Sequence, residues 1–187
     1  GNGNDELRGD AGADVLNGGA GFDYVTYVAA TSGVTVNLSL TSAQNTGSEG
    51  IDTISNVEGI RGSEFDDTLT GDGNDNLLQG NGGDDILNGG AGTDTASYIS
   101  ASVGVIINLA ITTSQYTVGA GYDTLTNIEN LEGTNQTDEL SGNASNNYIN
   151  GSGGTDRTIL SGLWRDYSIS YDALTSTYTF TDRRGFD

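Results

Sequence analysis

A nine-residue period constrains this chain more tightly than any other feature. The phrase GNGGDDILN (Gly80 to Asn88) runs directly into GGAGTDTAS (Gly89 to Ser97), and both read as GGxGxDxUx, with U an apolar residue. Ten such nonads fit the sequence in three blocks. The sixth position holds Asp5, Asp14 and Asp23 in the first block, Asp67, Asn76, Asp85 and Asp94 in the second, and Asp138, Asn147 and Asp156 in the third. Two residues on, the eighth position holds Leu7, Leu16, Val25, Leu69, Leu78, Leu87, Ala96, Leu140, Ile149 and Thr158. So short and regular a period builds one small unit per repeat, which buries its apolar residue only by stacking on its neighbours. The expectation is a solenoid.

Each position has its chemistry. Glycine permits positive φ without a Cβ clash, so a glycine-rich turn can aim carbonyl oxygens at a common centre. Gly3, Gly12, Gly19, Gly21, Gly83, Gly90, Gly92 and Gly154 are the candidates for that task. Calcium takes six to eight hard oxygen ligands at about 2.3–2.6 Å, supplied by carbonyls and carboxylates together. The sixth-position aspartate adds charge as well as oxygen. Strand side chains alternate faces, so the residue two further on points away from the turn and fills a thin core.

In these motifs the chain resembles the repeats-in-toxin (RTX) family of secreted bacterial proteins. The resemblance implies an all-β fold: a right-handed parallel β-roll, or β-solenoid, in which two nonads make an 18-residue turn and each calcium ion sits between turns one coil apart. It implies stacking of Asp5 with Asp23, Asp67 with Asp85, Asn76 with Asp94, and Asp138 with Asp156. Asn76 and Asn147 offer an oxygen without a charge, so their sites are expected to bind calcium less tightly. Asp14 would meet Ser32 eighteen residues on, which leaves half a site.

A longer repeat encloses the nonads. Residues 18–71 align without a gap on residues 89–142, with 23 of 54 positions identical. The shift of 71 is close to four turns of 18, so the segments between nonad blocks are expected to continue the coil with one turn a residue short. Blocks 1–26, 62–97 and 133–159 with inserts 27–61 and 98–132 then form one domain, 1–159. Within the inserts, Val34, Val36 and Leu38 match Val105, Ile107 and Leu109, an alternation that argues for half-buried strands. IDTISNVEGI (Ile51 to Ile60) matches YDTLTNIENL (Tyr122 to Leu131), with the spacing of a solenoid corner. Asp52, Asn56, Glu58, Asp123, Asn127 and Glu129 in these corners either add metal ligands or stack as hydrogen-bonding ladders.

From Leu160 the nonad stops. Residues 160–187 carry the sole tryptophan, Trp164, and alternate as Tyr167, Ile169, Tyr171, then Tyr178 and Phe180 around a turn at Asp172 to Thr177. This reads as a C-terminal β-hairpin that caps the open end of the stack or starts a further module.

Composition bears on metal dependence. Against 26 acids stand six bases, a net charge of −20 that opposes compaction by self-repulsion. Leu, Ile, Val and Phe number 40 of 187 residues, close to the level of about 20% below which a highly charged chain stays disordered. About four to eight bound calcium ions would neutralise much of the charge and couple binding to folding, leaving the metal-free chain largely unfolded. Without cysteine, no disulfide staples the fold.

Other functions find little support. With no histidine, cysteine or lysine, the chain lacks the zinc-protease signature, the cysteine nucleophiles and the usual general base. Catalytic residues are therefore not expected within it. Basic residues are too few to meet nucleic-acid phosphates, and no apolar stretch is long enough for a transmembrane helix. A flat threonine row suited to ice is missing at the fifth position, where Asn4, Ala13, Phe22, Asp66 and Asp75 begin the series. The chain starts mid-repeat without Met, as a piece of a longer protein would. Family resemblance then implies a secreted or cell-surface calcium module that folds after type I export. The alternatives are a stiff extender in an adhesin or surface-layer protein, with a polysaccharide or cell-surface partner, and an accessory module of a polysaccharide-modifying enzyme.

Overall fold

The computed structural model describes residues 1–160, 167–172 and 177–182. All described elements are strands, most of two or three residues, because each nonad spends most of its length on the turn. Strands Glu6–Leu7, Tyr24–Thr26, Gly59–Arg61, Leu77–Gln79, Thr95–Ser97, Asn130–Glu132 and Tyr148–Asn150 form one seven-stranded sheet in that order, parallel throughout. Facing it, three shorter sheets carry the alternate strands. Two-residue alternation turns Val25, Ile60, Leu78 and Leu131 inward from the first face, and Ile54, Leu69, Leu87 and Leu125 from the second, into one buried core. This is a parallel β-roll.

Within nonad blocks, partners lie one 18-residue turn apart: Leu69 stacks beside Leu87 and Leu78 beside Ala96. The inserts depart from the expected coil. Tyr24–Thr26 pairs directly with Gly59–Arg61, so the whole first insert advances this face by one strand. On the other face it lays down three, one of them reversed. The chain first places Thr35–Asn37 against Thr68–Thr70 of the following block. It then reverses through Gln44–Gly47, antiparallel to Gly50–Ser55, which runs beside Val15–Asn17 of the preceding block. The second insert repeats this path with Ile106–Asn108, Gln115–Tyr116 and Tyr122–Thr126. The 71-residue repeat is thus three strands on one face and five on the other, one of the five antiparallel, and not four coils.

A side-chain substitution makes the detour possible. The Asn37 N–H donates to Gln44 Oε1 at 2.8 Å, and Gln44 Nε2 donates to the Asn37 carbonyl at 3.0 Å. Gln115 does the same for Asn108, at 2.8 and 3.1 Å. Backbone groups in the interior must be paired, and here a glutamine amide takes the place of a neighbouring strand. In the C-terminal segment, Tyr167–Asp172 pairs antiparallel with Thr177–Asp182, the pairing that the alternation there anticipates. The hairpin turn and Trp164 lie outside the described residues.

Candidate metal centre

The sixth-position side chains line the two edges of the roll, and their carboxylates form ladders along it. The N–H of Asp5 donates to Asp23 Oδ1 at 2.7 Å, that of Asp67 to Asp85 at 2.9 Å, that of Asn76 to Asp94 at 2.8 Å, and that of Asp138 to Asp156 at 3.1 Å. The four expected stacks are therefore in place. Asp14 corrects the expectation: its N–H donates to Asp52 Oδ1, 38 residues on, at 3.1 Å, and Ser32 takes no part. Asn147 is half-buried, its Nδ2 donating to the Glu129 carbonyl. Exposed Asp156 ends the series.

The ten turns fall into two kinds. Where the fourth position is glycine, that residue is left-handed: Gly3, Gly12, Gly21, Gly83, Gly92 and Gly154 have φ between 108° and 152°. In five of these turns the second position, Asp10, Gly19, Asn81, Gly90 or Ser152, is left-handed as well. At Gly92 glycine is also required by space, since a Cβ there would strike the Asn74 carbonyl of the turn before. Where the fourth position is Phe65, Asn74, Gln136 or Ser145, the turn has no left-handed residue.

Those four turns close on themselves. Ser63 N–H donates to Asp67 Oδ2 at 2.6 Å while its Oγ donates to Oδ1, and Thr134 treats Asp138 likewise. Asp72 and Asn143 give their N–H to Asn76 and Asn147. Ser63→Ala strands the Phe65 N–H and removes a donor from buried Asp67. It is expected to cost about 1–3 kcal/mol, with calcium affinity unchanged, as urea denaturation and titration calorimetry would establish.

In the left-handed turns the carboxylate loses that donor. Among the described residues, six buried side-chain oxygens lack a hydrogen-bond partner, and four of them are the Oδ2 atoms of Asp14, Asp23, Asp85 and Asp94. Asp23, Asp85 and Asp94 are at most 1% exposed. A buried ionised oxygen without a partner is costly. A hard cation would supply what the site lacks, with the turn's carbonyls as its remaining ligands. Among the described residues no three acidic side chains gather into one cluster, so carbonyls must provide much of any ligand set. The residues present fit calcium.

The carboxyl groups register their surroundings. Burial, reinforced by the charge of Asp123, pushes Asp85 up to about 8, and burial raises Asp123 to about 6. Asp94 is raised by burial and by Glu129. With an unfolded value near 4, a raised folded value means that the contribution of Asp85 is fully present below about pH 4 and lost as pH rises through about 8. In chelator, circular dichroism is therefore expected to show more β-structure at pH 5 than at pH 8. Less structure at pH 5 would contradict the assignment.

A two-faced stack of parallel strands, with orphaned carboxylates in glycine turns along its edges, defines a cation-binding β-roll. The profile of the RTX calcium-binding nonapeptide repeat matches residues 1–25, 61–96 and 127–158, and the chain belongs to that family. No curated protein matches the chain.

The corner residues are the positions that sequence reasoning left undecided between metal ligands and hydrogen-bonding ladders. Asp52, Glu58, Asp123 and Glu129 all join the carboxylate ladders, and the Nδ2 groups of Asn56 and Asn127 donate to Asn17 and Asn88 at 2.8 Å.

Proposed function

We propose that this chain is a calcium-dependent folding module of a secreted bacterial protein, with the roll over residues 1–159 as the module. The observation that carries the reading is the set of four orphaned carboxylates in left-handed glycine turns. Asp14, Asp23, Asp85 and Asp94 act as the charged ligands. Carbonyls of turns containing Gly12, Gly19, Gly21, Gly83, Gly90 and Gly92 contribute neutral ones, and at the two ends the turns of Gly3 and Gly154 offer carbonyls beside the carboxylates of Asp5 and Asp156.

The net charge of −20 supports the same role. Before the metal binds, repulsion keeps the chain extended and suited to passage through a secretion channel. Calcium outside the cell then neutralises the edges and lets the thin core close. The module contributes rigidity and timing rather than catalysis. Among the described residues no helix is long and apolar enough to cross a membrane.

Titration calorimetry with calcium, repeated in excess magnesium, tests the assignment. Several ions are expected to bind with dissociation constants in the micromolar to millimolar range. Magnesium should compete poorly, because it demands a near-ideal octahedral shell and sheds water reluctantly. Equal uptake of both ions, or of neither, would refute the reading.

A further inference from the structure

The four orphaned carboxylates share one property that the nonad does not explain. Each is followed along its edge of the roll by an acid from an insert. The N–H of Asp14 donates to Asp52 Oδ1 at 3.1 Å, and that of Asp85 to Asp123 Oδ1 at 3.0 Å. The N–H of Asp23 donates to Glu58 Oε2 at 2.8 Å, and that of Asp94 to Glu129 Oε2 at 2.9 Å.

Two positions before each of these acids stands a left-handed residue: Gly50 (φ 111°), Asn56 (φ 51°), Gly121 (φ 103°) and Asn127 (φ 52°). Two positions after them stand Ile54, Ile60, Leu125 and Leu131, all buried. Each insert therefore contains two shortened repeats, G-x-D-x-U and N-x-E-x-U, in register with the nonads. A Cβ on Gly121 would strike the Gly83 carbonyl, so the shortened turn packs backbone to backbone on the nonad turn before it. Asp52, Glu58 and Asp123 lie outside the residues matched by the repeat profile.

We infer that the inserts supply the second half of four calcium sites, in which Asp52, Glu58, Asp123 and Glu129 complete the ligand sets of Asp14, Asp23, Asp85 and Asp94. The inference rests on the calcium reading proposed above and assigns its sites. An orphaned Oδ2 belongs to each nonad aspartate, three of which are at least 99% buried. The insert carboxylate brings the second negative charge to the same junction. Asp123 Oδ2 already accepts from the Tyr98 hydroxyl at 3.0 Å, and Asp52 Oδ2 from Thr46 Oγ1 at 2.8 Å. These hydroxyls fix the orientation of the two carboxylates, whose remaining lone pairs stay available to a cation. Where a self-closed turn is followed by a nonad, as from Asp67 to Asp85, the first carboxylate is already satisfied and holds no ion.

Native mass spectrometry at a free calcium concentration that saturates the wild type decides this. Glu58→Gln with Glu129→Gln keeps the acceptor for the Asp23 and Asp94 N–H groups while removing two charges, so the fold is retained. This pair is expected to lose two ions. Adding Asp52→Asn and Asp123→Asn is expected to remove two more. Glu6→Gln with Glu139→Gln, the first exposed and the second half-buried, both paired with arginines outside the carboxylate ladders, removes the same charge as the first pair and is expected to keep every ion. A full ion count in the Glu58→Gln, Glu129→Gln pair, or an equal loss in the Glu6→Gln, Glu139→Gln pair, would overturn the inference while leaving the calcium reading intact. A wild type that takes up no calcium would overturn both.

Discussion

Chelation at pH 8 is expected to unfold the chain, with loss of the β-sheet circular dichroism signal and a radius of gyration rising towards about 46 Å, the value for an unfolded chain of this length. The size of the effect follows from what the core lacks. Each inward row is one residue wide, and the short strands leave only narrow apolar stripes to bury. Against that stands repulsion within a chain of charge −20. At the edges, three aspartate carboxylates with orphaned oxygens are almost wholly buried. Four ions would contribute about eight positive charges at the points where burial is most costly, so binding free energy becomes folding free energy. Calcium added back should restore the signal in one transition and magnesium should not. A native spectrum in chelator at pH 8 would mean that the roll stands without metal.

The second large effect is expected from Leu87→Ala. Leu87 is 1% exposed, between Leu69 and Leu125 on the less continuous face of the roll. Truncation leaves a cavity that strands tied into a ladder cannot close, at a cost of about 2–5 kcal/mol. That is a large share of the roughly 5–15 kcal/mol that holds a domain folded. Its neighbour provides the contrast: Ile86 is 48% exposed, and Ile86→Ala should fall within about 0.5 kcal/mol of wild type. Urea denaturation in saturating calcium measures both. Similar losses at the two positions would show that the alternation of inward and outward residues is misassigned.

Much of this architecture was legible in the sequence because the nonad is a local code. The eighth-position residues other than exposed Thr158 line the core, with Leu7 and Ile149 only partly buried, the 18-residue stacking of Asp67 on Asp85 holds, and the alternating residues around Val36 and Ile107 form strands. The path of the inserts was not legible. It depends on Gln44 and Gln115 acting as surrogate strands, a contact to backbone seven residues away that no periodicity announces. Counting 18 residues leaves Asp14 with half a site for the same reason, since it assumes that the chain never doubles back, whereas Asp52 is brought to it by the insert.

The two kinds of turn did leave a signal. Glycine at the fourth position, present before Asp85 and absent before Asp67, separates left-handed turns from self-closed ones. The second position does not, because Asp10, Asn81 and Ser152 are left-handed without being glycine. The aspartate alone marks the repeat. The fourth-position glycine marks the turns whose carboxylates are left open.

The doubling back of the inserts also sets the order in which the roll can be assembled. Thr35–Asn37 has its strand partner in Thr68–Thr70, which lies downstream, whereas Gly50–Ser55 returns to Val15–Asn17 upstream. A chain emerging from its amino end cannot finish the first insert until the following block arrives. Each insert thus stitches the block before it to the block after it, and the array melts as a unit where simple stacked repeats would fray from one end.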